Sequence, residues 1–458
     1  MQSIMEPMSG HSIHREVLRL AVPSILANIT VPLVGIVDTA IAGHISNAAA
    51  IGGIAVGSML FDLLYWNFGF LRTGTAGLTA QAWGRQEGNR ADGGRGTASR
   101  EAEEILTQAV VTALGGAAVI LLLQWVFLTA ALALVPCSVE VASFARQYFF
   151  IRVWAAPATL SLMALRGWFI GMQNTVVPMV TDLVVNGVNM LASWLLAVYT
   201  PLGAMGVAWG TLAAQYAGLA VAVAIVAARY RPSLRLEALR RGRMRRLFVL
   251  NANLFVRSLC MMVVYVGFTS LAAGYGDTEL AVSSIMMKLF LLFSYFIDGF
   301  AYAGEALTGR FVGRHDGAGL RSAVRVLFVW ATGVGLACTV VYGVAGEAMT
   351  ALMTNDATIL SAARPYRVWL ALMPIASSLA FLWDGIFVGA ADGAALRNAM
   401  VVAASAFLLT YLLLFRPLGI QALYAAYFAH LVARTLWLTL LWKRTGRRLA
   451  GYTDEQTT

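Results

Sequence analysis

The sequence predicts an all-α integral membrane protein of 12 transmembrane helices in two six-helix lobes related by an axis along the membrane normal. Three observations carry that prediction. Of the 458 residues, 59% are hydrophobic and only 12% charged, with a mean hydropathy of +0.72, where ordinary soluble domains carry about a quarter charged residues. The apolar residues are gathered in runs of about 20 or more, the length that crosses ~30 Å of hydrocarbon as a helix. Short sequence signatures recur in the same order in both halves, which is the mark of an internal duplication.

Between charged or Gly/Pro-rich breaks, the runs are 17–43, 48–82, 105–135, 144–171, 177–199, 203–228, 247–273, 280–311, 322–350, 359–389, 396–415 and 418–442. The first follows a polar lead through Arg19, is interrupted by Pro23 and Pro32, and meets no small-residue cleavage site. It is therefore expected to stay as a helix rather than be removed as a signal peptide. Several runs exceed 20 residues and are expected to tilt, kink or project from the bilayer. An even number of spans puts both termini on one side. Even-numbered connections and termini hold 23 Lys and Arg residues, eight of them between Arg229 and Arg246, whereas the odd-numbered connections hold only Arg146, Arg364, Arg367 and Arg416. By the positive-inside rule both termini of this multi-pass chain are expected in the cytoplasm.

The duplication centres on the basic stretch Arg229–Arg246. Gly84-Arg85 after the second span matches Gly313-Arg314 after the eighth. Gly167-Trp168-Phe169-Ile170-Gly171 matches Gly385-Ile386-Phe387-Val388-Gly389, and Pro201-Leu202-Gly203 matches Pro417-Leu418-Gly419. Two lobes, 1–235 and 236–458, follow. Each has an even number of spans, so both run in the same topology, as in transporters built from parallel repeats.

Charge and motif content exclude other classes. The net charge of +10 sits in short loops between apolar runs rather than on one polar domain, which speaks for membrane topology and against a nucleic-acid partner. Cys137, Cys260 and Cys338 are far apart in apolar sequence, so neither a disulfide framework nor a metal site is expected. His11, His14, His44, His315 and His430 make no HExxH pair, and Gly94-Arg95-Gly96 lies in an arginine-rich loop with no strand before it. No enzyme and no cofactor are expected.

The informative residues are ionisable or polar groups inside apolar spans, each costly in lipid unless it faces a partner or a wet cavity. Asp38 leads them. It stands in the outer half of the first helix, above Pro23 and Pro32, each of which removes a backbone hydrogen bond and allows that helix to bend. Asp182, Asn186, Asn189 and Ser193 recur at helical spacing on the fifth span, and Ser193 comes to about the depth of Asp38; Thr211 of the sixth span can join them. The alternative for this stripe is interhelical hydrogen bonding. On the eighth span lie Lys288, Asp298, Tyr302 and Glu305, and Asp384 lies on the tenth; these either line a substrate path or neutralise one another. Arg72, Arg166, Arg257 and Arg434 are candidate partners for the acids or snorkel to the interface.

The stretches Val37-Asp38-Thr39-Ala40 to Gly43-His44, Tyr65 to Ala82, Asp298 to Leu307 and Trp383-Asp384-Gly385-Ile386 resemble the multidrug and toxic compound extrusion (MATE) family, and within it the branch of DNA-damage-inducible protein F. The resemblance spans nearly the whole chain. It implies two six-helix lobes forming a V and efflux of amphipathic, often cationic, compounds in exchange for inward protons or sodium ions. It also implies that Asp38 is the coupling-ion site and that Pro23 is where the first helix bends. The family often carries Asp four residues after the asparagine of the fifth helix; here Asn189 is followed at that place by Ser193, while Thr211 sits where a threonine often lines the same pocket. Losing that carboxylate weakens a sodium site, so protons are the expected coupling ion, with sodium the alternative. Lys288 is at odds with a simple cation as substrate. The expected partners are small organic molecules and the lipid bilayer, with the chain working as a monomer. The rival reading is a flippase of lipid-linked saccharide. That activity needs a broad cationic cavity for a pyrophosphate, and the four intramembrane arginines are scattered.

Overall fold

The computed structural model describes residues 10–45, 48–89, 100–135, 137–232, 236–239 and 241–451, and among them every regular element is helical. The twelve expected spans appear in order. The first is α1 (Gly10–Ile45). The second is broken by a turn at 67–69 into α2 (Ala48–Trp66) and α3 (Phe70–Gly88). The third is α4 (Arg100–Leu134), and the fourth is α5 (Val139–Arg152) and α6 (Ala156–Gly171), joined by one 3-10 turn. Then come α7 (Val176–Tyr199), α8 (Met205–Ile225), α9 (Arg241–Ala273), α10 (Asp277–Gly313) and α11 (Gly317–Met353). The tenth span is α12 (Ala357–Ala363) and α13 (Arg367–Gly389), again joined by a 3-10 turn, and the last two are α14 (Gly393–Leu418) and α15 (Gln421–Gly451). Eleven spans among the described residues are long and apolar enough to cross a membrane. The helix that falls short, α15, spends part of its length on His430, Arg434, Lys443 and Arg444.

The turns repeat between the halves more closely than the motifs do. Gln173 has φ 60° and Asn174 Oδ1 accepts the Val177 N–H at 3.3 Å to start α7; 218 residues later Ala391 has φ 55° and Asp392 Oδ1 accepts the Ala395 N–H at 3.0 Å to start α14. Gly203 and Gly419, each after Pro-Leu, take φ 50° and 54°. Close backbone crossings repeat as well. A Cβ on Gly84 of α3 would run into the carbonyl of Arg310 in α10, and one on Gly313 of α10 into the carbonyl of Gln81 in α3. Gly167 faces the Arg72 carbonyl and Gly385 the Ala301 carbonyl in the same way. Only glycine lets helix backbones approach so closely, which is how helices lacking a hydrophobic drive gain packing in lipid.

Two compact units result. One contains Met1–Ile25, Ala80–Asp92 and Val249–Thr458; the other contains Leu26–Thr79 and Gly93–Phe248. This grouping differs from the division 1–235 and 236–458, because packing hands the first turns of α1 and the last turns of α3 to the unit built on the second half. The cause is local. Gly299 of α10 lies against Ala21 and Ile25 of α1, and Gly309 and Gly313 against Ala80 and Gln81 of α3. Arg310 then clips both segments: its Nε and Nη2 reach the Glu87 carboxylate at 2.7 Å each, and its Nη1 reaches Glu16 at 3.0–3.1 Å. The unit's core is aromatic, with Phe290 against Tyr427 at 5.5 Å and Phe268 against both Tyr424 and Tyr427 at 5.6 Å. In the other unit, Phe61, Tyr148, Phe149 and Leu160 anchor a continuous core between α2, α4, α5 and α6.

Candidate functional site

Asp38 lies on α1, but its side chain, like those of Thr39, Ala40, Gly43 and His44, is outside the described residues, as is Gly94-Arg95-Gly96. The helix itself runs unbroken through Pro23 and Pro32. Proline has no N–H to give the carbonyl four residues earlier, so the Arg19 and Asn28 carbonyls each lose their helical donor. The change of compact unit falls two residues after Pro23.

The stripe on α7 separates into distinct contacts. Asp182, nearest the start of the helix, pairs with Arg166 of α6 and is 14% exposed. Asn186 donates to Thr30 Oγ1 of α1 at 2.6 Å, and Thr30 in turn donates to the Ala27 carbonyl at 2.7 Å. Asn189, Ser193 and Thr211 meet in the seam between α7 and α8. Asn189 Nδ2 donates to Thr211 Oγ1 at 2.9 Å, Thr211 Oγ1 to the Val207 carbonyl at 3.0 Å, and Ser193 Oγ approaches the same carbonyl at 3.5 Å. Gly210 makes this possible, since a Cβ there would strike Ser193. Ser193 is fully buried and Asn189 is 4% exposed. Asn189 Oδ1, an acceptor with two lone pairs, has no hydrogen-bond partner among the described residues. A buried amide oxygen in that state asks for an ion, a water or a ligand group.

Backbone register relates this cluster to Asp38. Thr30 and Asn186 touch, and α1 and α7, both odd-numbered spans, run in the same direction. Asp38 stands eight residues beyond Thr30 and Ser193 seven beyond Asn186, about 12 Å and 10–11 Å along their helices. The Cα of Asp38 and Ser193 therefore belong to one level, and Asn189, which bonds Thr211, lies four residues, about 6 Å, below Ser193.

In the second unit the candidate acids do not form one group. Asp384 is buried between two guanidiniums: Arg434 Nε donates to its Oδ1 at 3.0 Å, and Arg434 and Arg257 Nη2 both reach its Oδ2. Arg434 is 2% exposed. Two of the four intramembrane arginines thus serve Asp384, and a third, Arg166, serves Asp182. On α10, Glu305 is buried and Asp298 and Tyr302 half-buried, while Lys288 is exposed and lies ten residues, about 15 Å, from Asp298. That distance separates Lys288 from the i, i+4, i+7 stack it was grouped with.

A polar cluster absent from the sequence reading lies between α2 and α5. Arg152 donates to Tyr148 Oη at 3.0 Å and to Ser58 Oγ at 3.4 Å, and its guanidinium sits 4.8 Å from the Phe61 ring centroid. Asp62 feels the Arg152 charge and is itself exposed on the α2 face opposite the core. The signal was present: Asp62 is the one acid between Asp38 and Glu87, a carboxylate in an apolar span by the same criterion that selects Asp38.

The MatE family model matches residues 23–195 and 254–415, one stretch in each half. The chain is 36% identical to DNA damage-inducible protein F of Escherichia coli over 437 residues, 93% of this chain and 92% of the relative. It is 26% identical to Protein DETOXIFICATION 44, chloroplastic, of Arabidopsis thaliana, over 84% of this chain and 74% of the relative. In fold it matches the bent form of the Vibrio cholerae MATE transporter VcmN with a TM-score of 0.84 at 17% identity, covering 97% of this chain and 99% of that one. With half-by-half matches to the family model and a relative aligned nearly end to end, this multi-pass membrane protein belongs to the MATE family of transporters.

Proposed function

We propose that the protein is a secondary active efflux antiporter of a bacterial inner membrane. It exports amphipathic, often cationic, organic compounds by alternating access in exchange for inward protons, and both its termini are cytoplasmic. Asp38 is the proton site in this reading, with Ser193 at its level and Asn189 and Thr211 below it as the neutral polar wall. The observation that supports it is the orphaned Asn189 Oδ1, a fixed acceptor in a buried seam whose Ser193 end is level with the Cα of Asp38, on a helix that carries two prolines. A protonated Asp38 is a neutral donor and an ionised one a charged acceptor. Its titration therefore changes which partners the upper part of α1 prefers, and Pro23 and Pro32 leave that part free to respond. The cluster offers sodium only neutral oxygens besides Asp38, whereas a single carboxyl group suffices for a proton.

The energetics set a checkable condition. Exchange of one proton for one monovalent cation moves no net charge, so the membrane potential cancels and each pH unit supports about a tenfold substrate gradient, ~1.4 kcal/mol. The experiment is efflux of a fluorescent organic cation from proteoliposomes, under a pH gradient without sodium and then under a sodium gradient at fixed pH, for wild type and Asp38→Asn. Transport driven by the pH gradient and lost in Asp38→Asn is expected. Transport driven by sodium alone, or unchanged in the variant, overturns the reading.

A further inference from the structure

A cavity of about 300 Å³ opens where α10, α11 and the α12–α13 bend meet, remote in sequence from the Asp38 level. Its floor is apolar, formed by Met286, Ala363 and Leu370, all buried. Its rim carries three charges: Glu347, Arg364 and Arg367. Gly346 also lines it, with Leu370 Cδ2 3.4 Å from where a Cβ would stand. The 3-10 turn Arg364–Tyr366, with Pro365 inside it, sets Arg364 and Arg367 three residues apart on one side, because side chains at i and i+3 of a 3-10 turn eclipse. These two are half of the four basic residues in the odd-numbered connections, so the side otherwise poor in positive charge concentrates it here.

The rim charges are not consumed by one another. The Arg364 guanidinium has no hydrogen bond or ion pair to a described residue. Arg367 reaches Glu347 only at 3.8 Å, with the two side chains 71% and 61% exposed, a separation and exposure at which an ion pair is worth little. Two forks of guanidinium donors therefore stand over an apolar hollow. The length of α11 fits a site at headgroup depth. With 37 residues, α11 is about 55 Å long, well beyond the ~30 Å of hydrocarbon, and Glu347 is six residues, about 9 Å, from its end. Next to the rim, Val344 of α11 is 85% exposed and Val368 of α13 is 58% exposed, an apolar surface for a chain that leaves the cavity toward the bilayer.

We infer that this cavity is a binding site for a monoanionic phosphate-bearing amphiphile, a phospholipid of the phosphatidylglycerol type. Its phosphate is held by Arg364 and Arg367, its headgroup hydroxyls donate to Glu347, and the start of its acyl chains lies on the apolar floor and rim. The volume holds about ten waters' worth of liquid, enough for a phosphoglycerol headgroup. The charge matches, since one acid and two arginines leave one positive charge for one phosphodiester. Guanidinium forks bind phosphate bidentately, which choline-capped lipids of no net charge exploit less.

The test is native mass spectrometry of the delipidated full-length transporter titrated with dioleoyl phosphatidylglycerol, dioleoyl phosphatidylcholine and water-soluble glycerol phosphate. Tight uptake of one phosphatidylglycerol is expected, weakened about tenfold or more in Arg364→Gln/Arg367→Gln, as losing charge-assisted hydrogen bonds implies. The same loss is expected in Ala351→Trp, which fills the cavity from its exposed rim and keeps both arginines. Wild-type elution profiles confirm folding of both variants. Equal affinity for phosphatidylcholine, equal affinity for free glycerol phosphate, or binding undiminished in both variants overturns the inference.

Discussion

Replacing Asp384 by asparagine should be among the most damaging single changes in the unit built on the second half. The residue accepts from two guanidiniums inside the protein. Arg434, 2% exposed, has no route to water, whereas Arg257, 16% exposed, has a limited one. Removing one partner of a buried ion pair costs about 3–5 kcal/mol, mostly because the other charge stays buried and unpaired. Asp384→Asn strands both arginines and should fall at the top of that range. Arg257→Gln leaves Asp384 its two bonds from Arg434 and should cost less, about 1–3 kcal/mol, the size of one charge-assisted hydrogen bond. Substituting all three by apolar residues (Asp384→Leu, Arg257→Leu, Arg434→Met) removes the charge problem altogether and should recover most of the loss. Equilibrium unfolding in mixed micelles of dodecyl maltoside and sodium dodecyl sulfate, followed by far-ultraviolet circular dichroism, ranks the variants. An Asp384→Asn protein within about 1 kcal/mol of wild type, or one less damaged than Arg257→Gln, refutes the reasoning.

Three further outcomes follow from contacts described above. Gly385→Ala puts a methyl group into the Ala301 carbonyl and should cost about 1–3 kcal/mol by overpacking; Gly187→Ala, with open space around its Cα, should be neutral or stabilising by up to ~1 kcal/mol, and equal effects in the same unfolding assay would contradict the close crossing. Asn189→Ala should reduce proton-driven dye efflux in proteoliposomes several-fold more than Thr211→Val does, because only the first removes the unpartnered acceptor. Finally, Arg152→Leu and Asp62→Asn should be coupled by about 0.5 kcal/mol or more in a double-mutant unfolding cycle; strict additivity would mean that the two charges act separately.

The span count, the repeat and the paired Pro-Leu-Gly turns were legible because each rests on local composition. Apolar runs report helices, and Gly or Pro at a fixed offset reports a backbone that must do the same thing twice. Breaks inside spans were harder. The turn at 364–366 is signalled by Pro365, but the one at 67–69 is carried by Asn67-Phe68-Gly69 and the one at 153–155 by Val-Trp-Ala, which has no turn residue at all. The second-half equivalent of the Gln173-Asn174 turn was also hidden, because Ala391-Asp392 does the same job with different side chains. Pairings were the least legible. Charge in an apolar span says that a partner exists and not which one, so Asp182 and Asp384 were named while Arg166, Arg257 and Arg434 stayed unassigned until packing brought residues 16 to 127 positions apart together. Asp62 was missed for a different reason: it sits among aromatics that read as core, although its own face of α2 is exposed.

The reciprocal glycine crossings have a meaning beyond packing. Gly84 lies on the carbonyl of residue 310 and Gly313 on that of residue 81, so the same patch of each half meets the other half's copy of itself. That is the defining property of an isologous interface, the kind that closes a two-fold dimer. Within a single polypeptide it marks this crossing, inside one compact unit, as a two-fold contact between equivalent segments of the duplicated sequence.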